Sequence, residues 1–264
     1  MTKLLLGADP ELFMQDVNGF FKSVFGILPG TKEAPHKVSR GAVQVDGMAA
    51  EFNIDPAATS EEFVLNLTTV MNTMQGMLPY GLVATPVAEF GAEYMATRDE
   101  KETELGCDPD YNCWTGDVNT PPDAAKTFRT GAGHVHIGWT ENQDILDEKH
   151  IQACRTVVKQ LDFYLGLASL FYDKDTKRRE LYGKAGAFRV KPYGVEYRVL
   201  SNKWLENEAL MTWVFNTTIK AIDDMRSGKR LADKYGDIQE IINASDIDAA
   251  KFIIEQEGLE VPNV

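Results

Sequence analysis

The chain has 264 residues, of which 44% are hydrophobic and 25% charged, with 40 Asp and Glu against 27 Lys and Arg for a net charge of −13. This is enough to build a sizeable core, and it argues against a surface that grips nucleic-acid phosphates, which takes clustered Lys and Arg. Cys107, Cys113 and Cys154 lack paired metal-ligand spacing and read as reduced thiols, and no segment is long and apolar enough for a signal peptide or a membrane span. A cytoplasmic location is therefore expected.

Residues 3–14 predict a strand that turns at Asn18-Gly19 into Phe20-Phe21. Residues 41–54 alternate apolar and polar, as one strand or as a hairpin around Asp46-Gly47. Thr59 caps a helix with Glu61 and Glu62 in its first turn and a stripe of Phe63, Leu67, Val70, Met71, Met74 and Leu78. That Met-rich stripe is core rather than a cofactor contact. Leu82 to Phe90 predicts a strand, and 91–128 a long polar loop with short strands. Arg129 to Trp139 predicts a strand, and Asp144 to Phe171 a helix burying Ile151, Cys154, Val158, Leu161 and Leu165. Phe188 to Leu200 reads as a hairpin through Pro192-Tyr193-Gly194, and 205–225 and 238–257 as helices. No linker or repeat divides the chain, so one domain over 1–264 is expected. Strands and helices mix without regular alternation, which favours an α+β fold.

Four extended segments place polar groups at i and i+2: Asp9 and Glu11, Glu51 and Asn53, His134 and His136, Glu196 and Arg198. On a strand such residues share one face, while Pro10, Phe52, Val135 and Tyr197 turn to the other. Asp9 and Glu11 repel each other unless a cation lies between them or one stays protonated; the competing reading is a solvated strand face. Pro10 cannot donate to a ladder, which places it at an edge or bulge. His134 and His136, two of four histidines, stand in a glycine-bracketed strand, and carboxylate co-ligands suit Mg²⁺ or Mn²⁺ better than a structural zinc. Glu196 and Arg198 read either as a salt bridge or as a metal ligand beside a phosphate-facing arginine. Arg178, Arg179, Lys184 and Arg189 form the basic cluster, either a solvated loop or a polyphosphate grip. Asp108 and Asp110 read as a simple turn or as a hold for a substrate ammonium group. P-loop, dinucleotide and nucleophile-elbow motifs are absent, so any ATP phosphates would be held by metals and arginines.

Five stretches in order, Gly7–Phe13, Gly106–Asp110, Gly131–Gly138, Tyr182–Arg189 and Glu196–Arg198, resemble the glutamine synthetase and glutamate–cysteine ligase superfamily. More closely they resemble its phage-encoded type 2 carboxylate–amine ligases. The resemblance spans about residues 7–200 and leaves the helices of 205–257 aside. It implies a curved, mainly antiparallel sheet with helices on its convex face, a glutamine-synthetase-like catalytic domain. It also implies ATP with two or three Mg²⁺ or Mn²⁺ ions, and ADP-forming amide or isopeptide synthesis through an acyl phosphate. Residue by residue, it gives Asp9, Glu11, Glu51, His134 and Glu196 to metals. His136, Arg179, Lys184, Arg189 and Arg198 go to the nucleotide, and Arg189, Arg198 and Glu51 to catalysis. Asp9 departs from the usual Glu in the first-strand pair. Expected partners are small-molecule or peptide carboxylates and amines, with no membrane or direct nucleic-acid contact. The competing functions are another metal–ATP phosphotransfer, a metal-dependent hydrolase, and a non-catalytic binding protein.

Overall fold

The structure, a computed structural model, describes residues 3–103, 109–120 and 127–263. Strand β1 (Leu5–Ala8) and strand β2 (Glu11–Gln15) are one run of chain broken at Asp9-Pro10. The remaining strands are β3 (Phe21–Lys22), β4 (His36–Val38), β5 (Gly41–Asp46), β6 (Ala49–Ile54), β7 (Gly81–Val83) and β8 (Val87–Glu89). They continue with β9 (Tyr111–Asn112), β10 (Phe128–Thr130), β11 (Val135–Gly138), β12 (Ala187–Lys191) and β13 (Gly194–Tyr197). One sheet runs β1-β11-β13-β12-β9; a second runs β3-β2-β6-β5-β4, with β7 also on β2; β8 and β10 form a separate pair. All pairings are antiparallel, and the sheet curls strongly into a half-barrel.

The first strand stitches the two large sheets together. Pro10, with no N–H to give, sits where the chain leaves one ladder for the other. Its carbonyl accepts Phe52 N–H at 3.1 Å, while Glu11 N–H donates to Ala132 O at 2.9 Å. The crossover aims Asp9 at the first sheet and pairs Glu11 with Glu51 in the second.

Alternation sorts the faces. Val135, Ile137, Val195 and Tyr197 are fully buried in the main core. The helix Glu148–Leu161 packs on β12 and β13, and the helix Ser60–Gln75 packs on β5 and β6. His136 and Glu196 project from the opposite face. Thr59 caps the earlier helix by accepting Glu62 N–H, as expected, and Phe63, Leu67, Val70 and Met74 bury its stripe.

Three further expected elements are divided. The run 82–90 splits at Thr85-Pro86, because proline ends the ladder of β7 and β8 pairs elsewhere. The run 129–139 splits at Gly131–His134, which lets β10 and β11 serve different sheets. The C-terminal helix breaks at Ser245 (φ 54°) into Gln239–Asn243 and Ile247–Glu257. Residues 91–120 hold two short helices, Ala92–Met95 and Glu100–Thr103, as well as β9. Gly133 is where the backbones close up: a Cβ there would lie 2.2 Å from Ser201 O and 2.4 Å from the Trp204 indole nitrogen. Gly133→Ala is expected to cost about 3 kcal/mol and to lower the melting temperature by roughly 6–12 °C. An unchanged thermal midpoint would refute the close approach.

The expected helix over 144–171 starts at Glu148, capped by Asp147, and passes through a π-helical turn at Asp162–Gly166. That turn carries Asp162 inward, where it accepts Trp114 Nε1–H at 2.7 Å and Tyr197 O–H at 2.9 Å. Burial drives its carboxyl up to about 7 despite those hydrogen bonds. Folded, Asp162 keeps its proton to about pH 7, whereas the unfolded chain releases it near about pH 4. Its stabilising contribution is therefore complete below about pH 4 and is lost as pH rises to about 7, by on the order of 4 kcal/mol. Asp162→Asn should flatten the fall in urea midpoint between about pH 4 and about pH 7, and an identical fall in both proteins would contradict this.

Candidate active site

Register builds the site. Gly7 pairs with His136, His136 with Glu196, and Glu196 with Arg189, so one row crosses four strands of the first sheet. Asp9 lies one step beyond the end of β1 and closes on this row. Its Oδ1 is 2.9 Å from His136 Nε2 and 3.4 Å from His134 Nδ1, and His134 Nδ1 is 3.4 Å from Glu196 Oε1. Asp9, His136 and Glu196 each turn a donor atom into a space where all three lie within 4.8 Å. Asp9 Oδ1, His136 Nε2 and Glu196 Oε2 are buried and none makes an aligned hydrogen bond, although each lies at ion-pair distance from an opposite group. Two carboxylates and an imidazole arranged so suit a hard divalent cation with borderline tolerance for nitrogen, such as Mg²⁺ or Mn²⁺.

A second group of acids flanks the first. Glu11 pairs across the strands with Glu51, which pairs in turn with Gln44. Gln44 donates to Glu51 Oε2 at 2.7 Å, and Ala132 N–H donates to Glu11 Oε2 at 2.9 Å. Burial pushes Glu11 up to about 8, and the charge of Asp46 acts in the same direction against Arg178 and Arg198. Burial also raises Glu51 well above the usual range, with Asp9, Asp46 and Glu11 adding to it. Asp46 is raised by burial, opposed by Lys32, Arg198 and Arg189. Acids this crowded hold protons that a bound cation would displace.

The histidines diverge. Burial, reinforced by Arg198, drives His134 down to about 3 and keeps it neutral. Burial would lower His136 too, but Asp9 outweighs it and raises the imidazole. Asp9 is held well below its ordinary value, because His136 and His134 overcome the burial that would raise it. Glu196, fully buried, is raised by burial and by Asp9, and lowered by His136, Lys191 and Arg189.

Basic groups close the other side. Arg198 bonds Glu196 and Tyr182, and its Nε donates to Asp110 at 3.0 Å. Lys191 Nζ lies 2.8 Å and Arg189 Nη1 3.7 Å from the two oxygens of Glu196.

Asp9, Glu11, Glu51, His134, His136, Glu196, Arg189 and Arg198 are thus brought together. His136, assigned from sequence to the nucleotide, shares one donor cluster with Asp9 and Glu196, while His134 Nδ1 lies 3.4 Å from each of those two acids. Arg179 is placed outside: buried, it donates to Asp175 O and Ser169 Oγ and faces Asp173, because the helix Lys177–Leu181 turns it into the packing. Lys184 is exposed and lines a smaller pocket with Tyr182 and Asp110, the partners of Arg198. Asp110 is bound by Arg198 and by Asn119 rather than held free for an ammonium group. Asp108 lies outside the described residues. Sequence reasoning missed Lys191, Tyr182 and Tyr193, and left Asp46 without a role. Lys191 continues the i, i+2 rhythm from Arg189 and could have been found by it. The tyrosines, which reach His134 and His136, carried no such signal.

The fold and site define a mixed helix-and-sheet protein whose curled antiparallel sheet gathers buried acids, histidines and arginines into one cleft. Residues 124–244 match the family described as Phage phiEco32-like COOH.NH2 ligase-type 2. The family name is that of a carboxylate–amine ligase, and the resemblance expected from the motifs holds over this stretch. No curated protein matches the chain. The matched stretch holds His134, His136, Arg189, Glu196 and Arg198, while Asp9, Glu11, Asp46 and Glu51 come from outside it and join by folding alone.

Proposed function

We propose that the chain is an ATP-dependent, ADP-forming ligase that joins a carboxylate to an amine, on a glutamine-synthetase-like catalytic domain comprising all 264 residues. The observation that carries this is the row His136–Glu196–Arg189, which sets metal-type donors directly beside guanidinium groups. Asp9, His136 and Glu196, with His134, Glu11 and Glu51 adjacent, would hold Mg²⁺ or Mn²⁺, which neutralises phosphate charge when bound. Arg189, Arg198 and Lys191 then face the transferring phosphoryl group. A substrate carboxylate oxygen attacks the γ-phosphorus and ADP leaves; the amine nitrogen attacks the acyl carbon, inorganic phosphate leaves, and the nitrogen gives up a proton. The protein's share is positioning and charge compensation. No helix among the described residues is long and apolar enough to cross a membrane.

Incubation with Mg-ATP, hydroxylamine and pooled carboxylic acids tests the reading. Hydroxamate with ADP and phosphate is expected. AMP and pyrophosphate would replace it with adenylation, and ADP with a stable phosphorylated product would replace it with phosphotransfer.

A further inference from the structure

The cleft changes sign from one side to the other. Asp9, at the end of β1, lies near Asp46 and Glu51 on β5 and β6, while β12 and the end of β13 bring Arg189, Lys191 and Arg198. Against the acidic side lies a cavity of about 670 Å³. Leu5, Ile54, Pro56, Trp139 and Tyr193 line it, and Gly7 and Gly138 add no side chain. Its ionisable lining is Asp9, Glu51 and Glu141 against Lys3 and His136.

We propose that this cavity seats the amine substrate, and that this substrate is a primary ammonium group on an apolar stem rather than ammonia. The fate of the amine rests on the ligase reading above; its binding does not. A cation is stabilised by facing carboxylates and aromatic rings, and the negative charge of a triphosphate is drawn instead to the guanidinium side. Ammonia would leave the apolar walls without a partner, whereas a hydrocarbon stem removes them from water. The nitrogen then reaches Glu141 and the carboxylate oxygens of Asp9 and Glu51 that a bound cation leaves free, while the stem lies along Leu5, Ile54 and Trp139.

Calorimetric titration of the full chain, without nucleotide, tests this with ethylamine, butylamine, hexylamine, hexanol, hexanoate and ammonium chloride. Affinity should rise about threefold to fourfold for each added methylene. Hexanol and hexanoate should bind at least about tenfold more weakly than hexylamine. Trp139→Ala should weaken hexylamine about tenfold. Leu5→Ala, at a position 39% exposed where folding is not at stake, should weaken hexylamine and leave ammonium unchanged. Affinity independent of chain length, hexanoate binding as well as hexylamine, or displacement of hexylamine by adenosine would overturn the proposal. Hexylamine binding in a protein that forms no hydroxamate would remove the ligase reading and keep this ligand class. Hydroxamate formation without any chain-length dependence would do the reverse.

Discussion

Glu196→Gln is expected to lower ligation turnover at least about a hundredfold while the chain stays folded. Glutamine keeps the volume and one acceptor oxygen, so packing around the fully buried side chain changes little. The charge is what disappears. Glu196 stands between His136 and Asp9 on one side and Arg198, Lys191 and Arg189 on the other, and its carboxylate balances three cations. Without it a bound divalent ion would lose an anionic donor, and Arg198 and Lys191 lose the group that orients them. The loss corresponds to about 3 kcal/mol of barrier, comparable with removal of one preorganised charge-stabilising group elsewhere. ADP release in the hydroxamate assay, with far-ultraviolet circular dichroism to verify folding, measures it. Turnover within about threefold of the parent would mean that Glu196 is a structural ion-pair partner alone.

Mn²⁺ should stabilise the protein against heat, and Asp9→Asn should abolish most of that gain. At about a hundred times its dissociation constant, a ligand selective for the native state adds roughly 2.7 kcal/mol, or about 5–10 °C for a chain of this size. The source of the gain is specific. Burial and mutual repulsion keep Glu11 and Glu51 protonated well above their ordinary range, and a cation converts that repulsion into coordination. Asp9 contacts both histidines and is itself one of the three clustered donors, so its amide loses the most. Differential scanning fluorimetry with and without MnCl₂ reads the effect. Equal shifts in the two proteins, or none in the parent, would place the cation elsewhere.

Much of the site was legible as a rhythm. A two-residue repeat reports a shared face without regard to which strands meet, so Asp9, Glu11, Glu51, the His134–His136 pair and the Glu196–Arg198 pair could be assigned together before any pairing was known. Arg189 and Lys191 obeyed the same rule. Arg179 misled because a basic residue in a short helix beside the site turns with a period of 3.6, which carried its side chain into the packing instead. Asp110 misled because its partner, Arg198, lies 88 residues further on.

Local chemistry along the chain determined the cap at Thr59, the turn at Asn18-Gly19, the hairpin at Pro192-Tyr193, and which side chains could share a face. Those features depend on backbone sterics and on hydrogen bonds within a few residues. Only the tertiary structure decided that Pro10 carries the first strand from one sheet to the other, that Glu11 faces Glu51, and that both His134 and His136 come within reach of Asp9. These follow from register between strands remote in sequence, and register is settled by burial of the opposite face in a common core, a cooperative property that no short segment encodes alone.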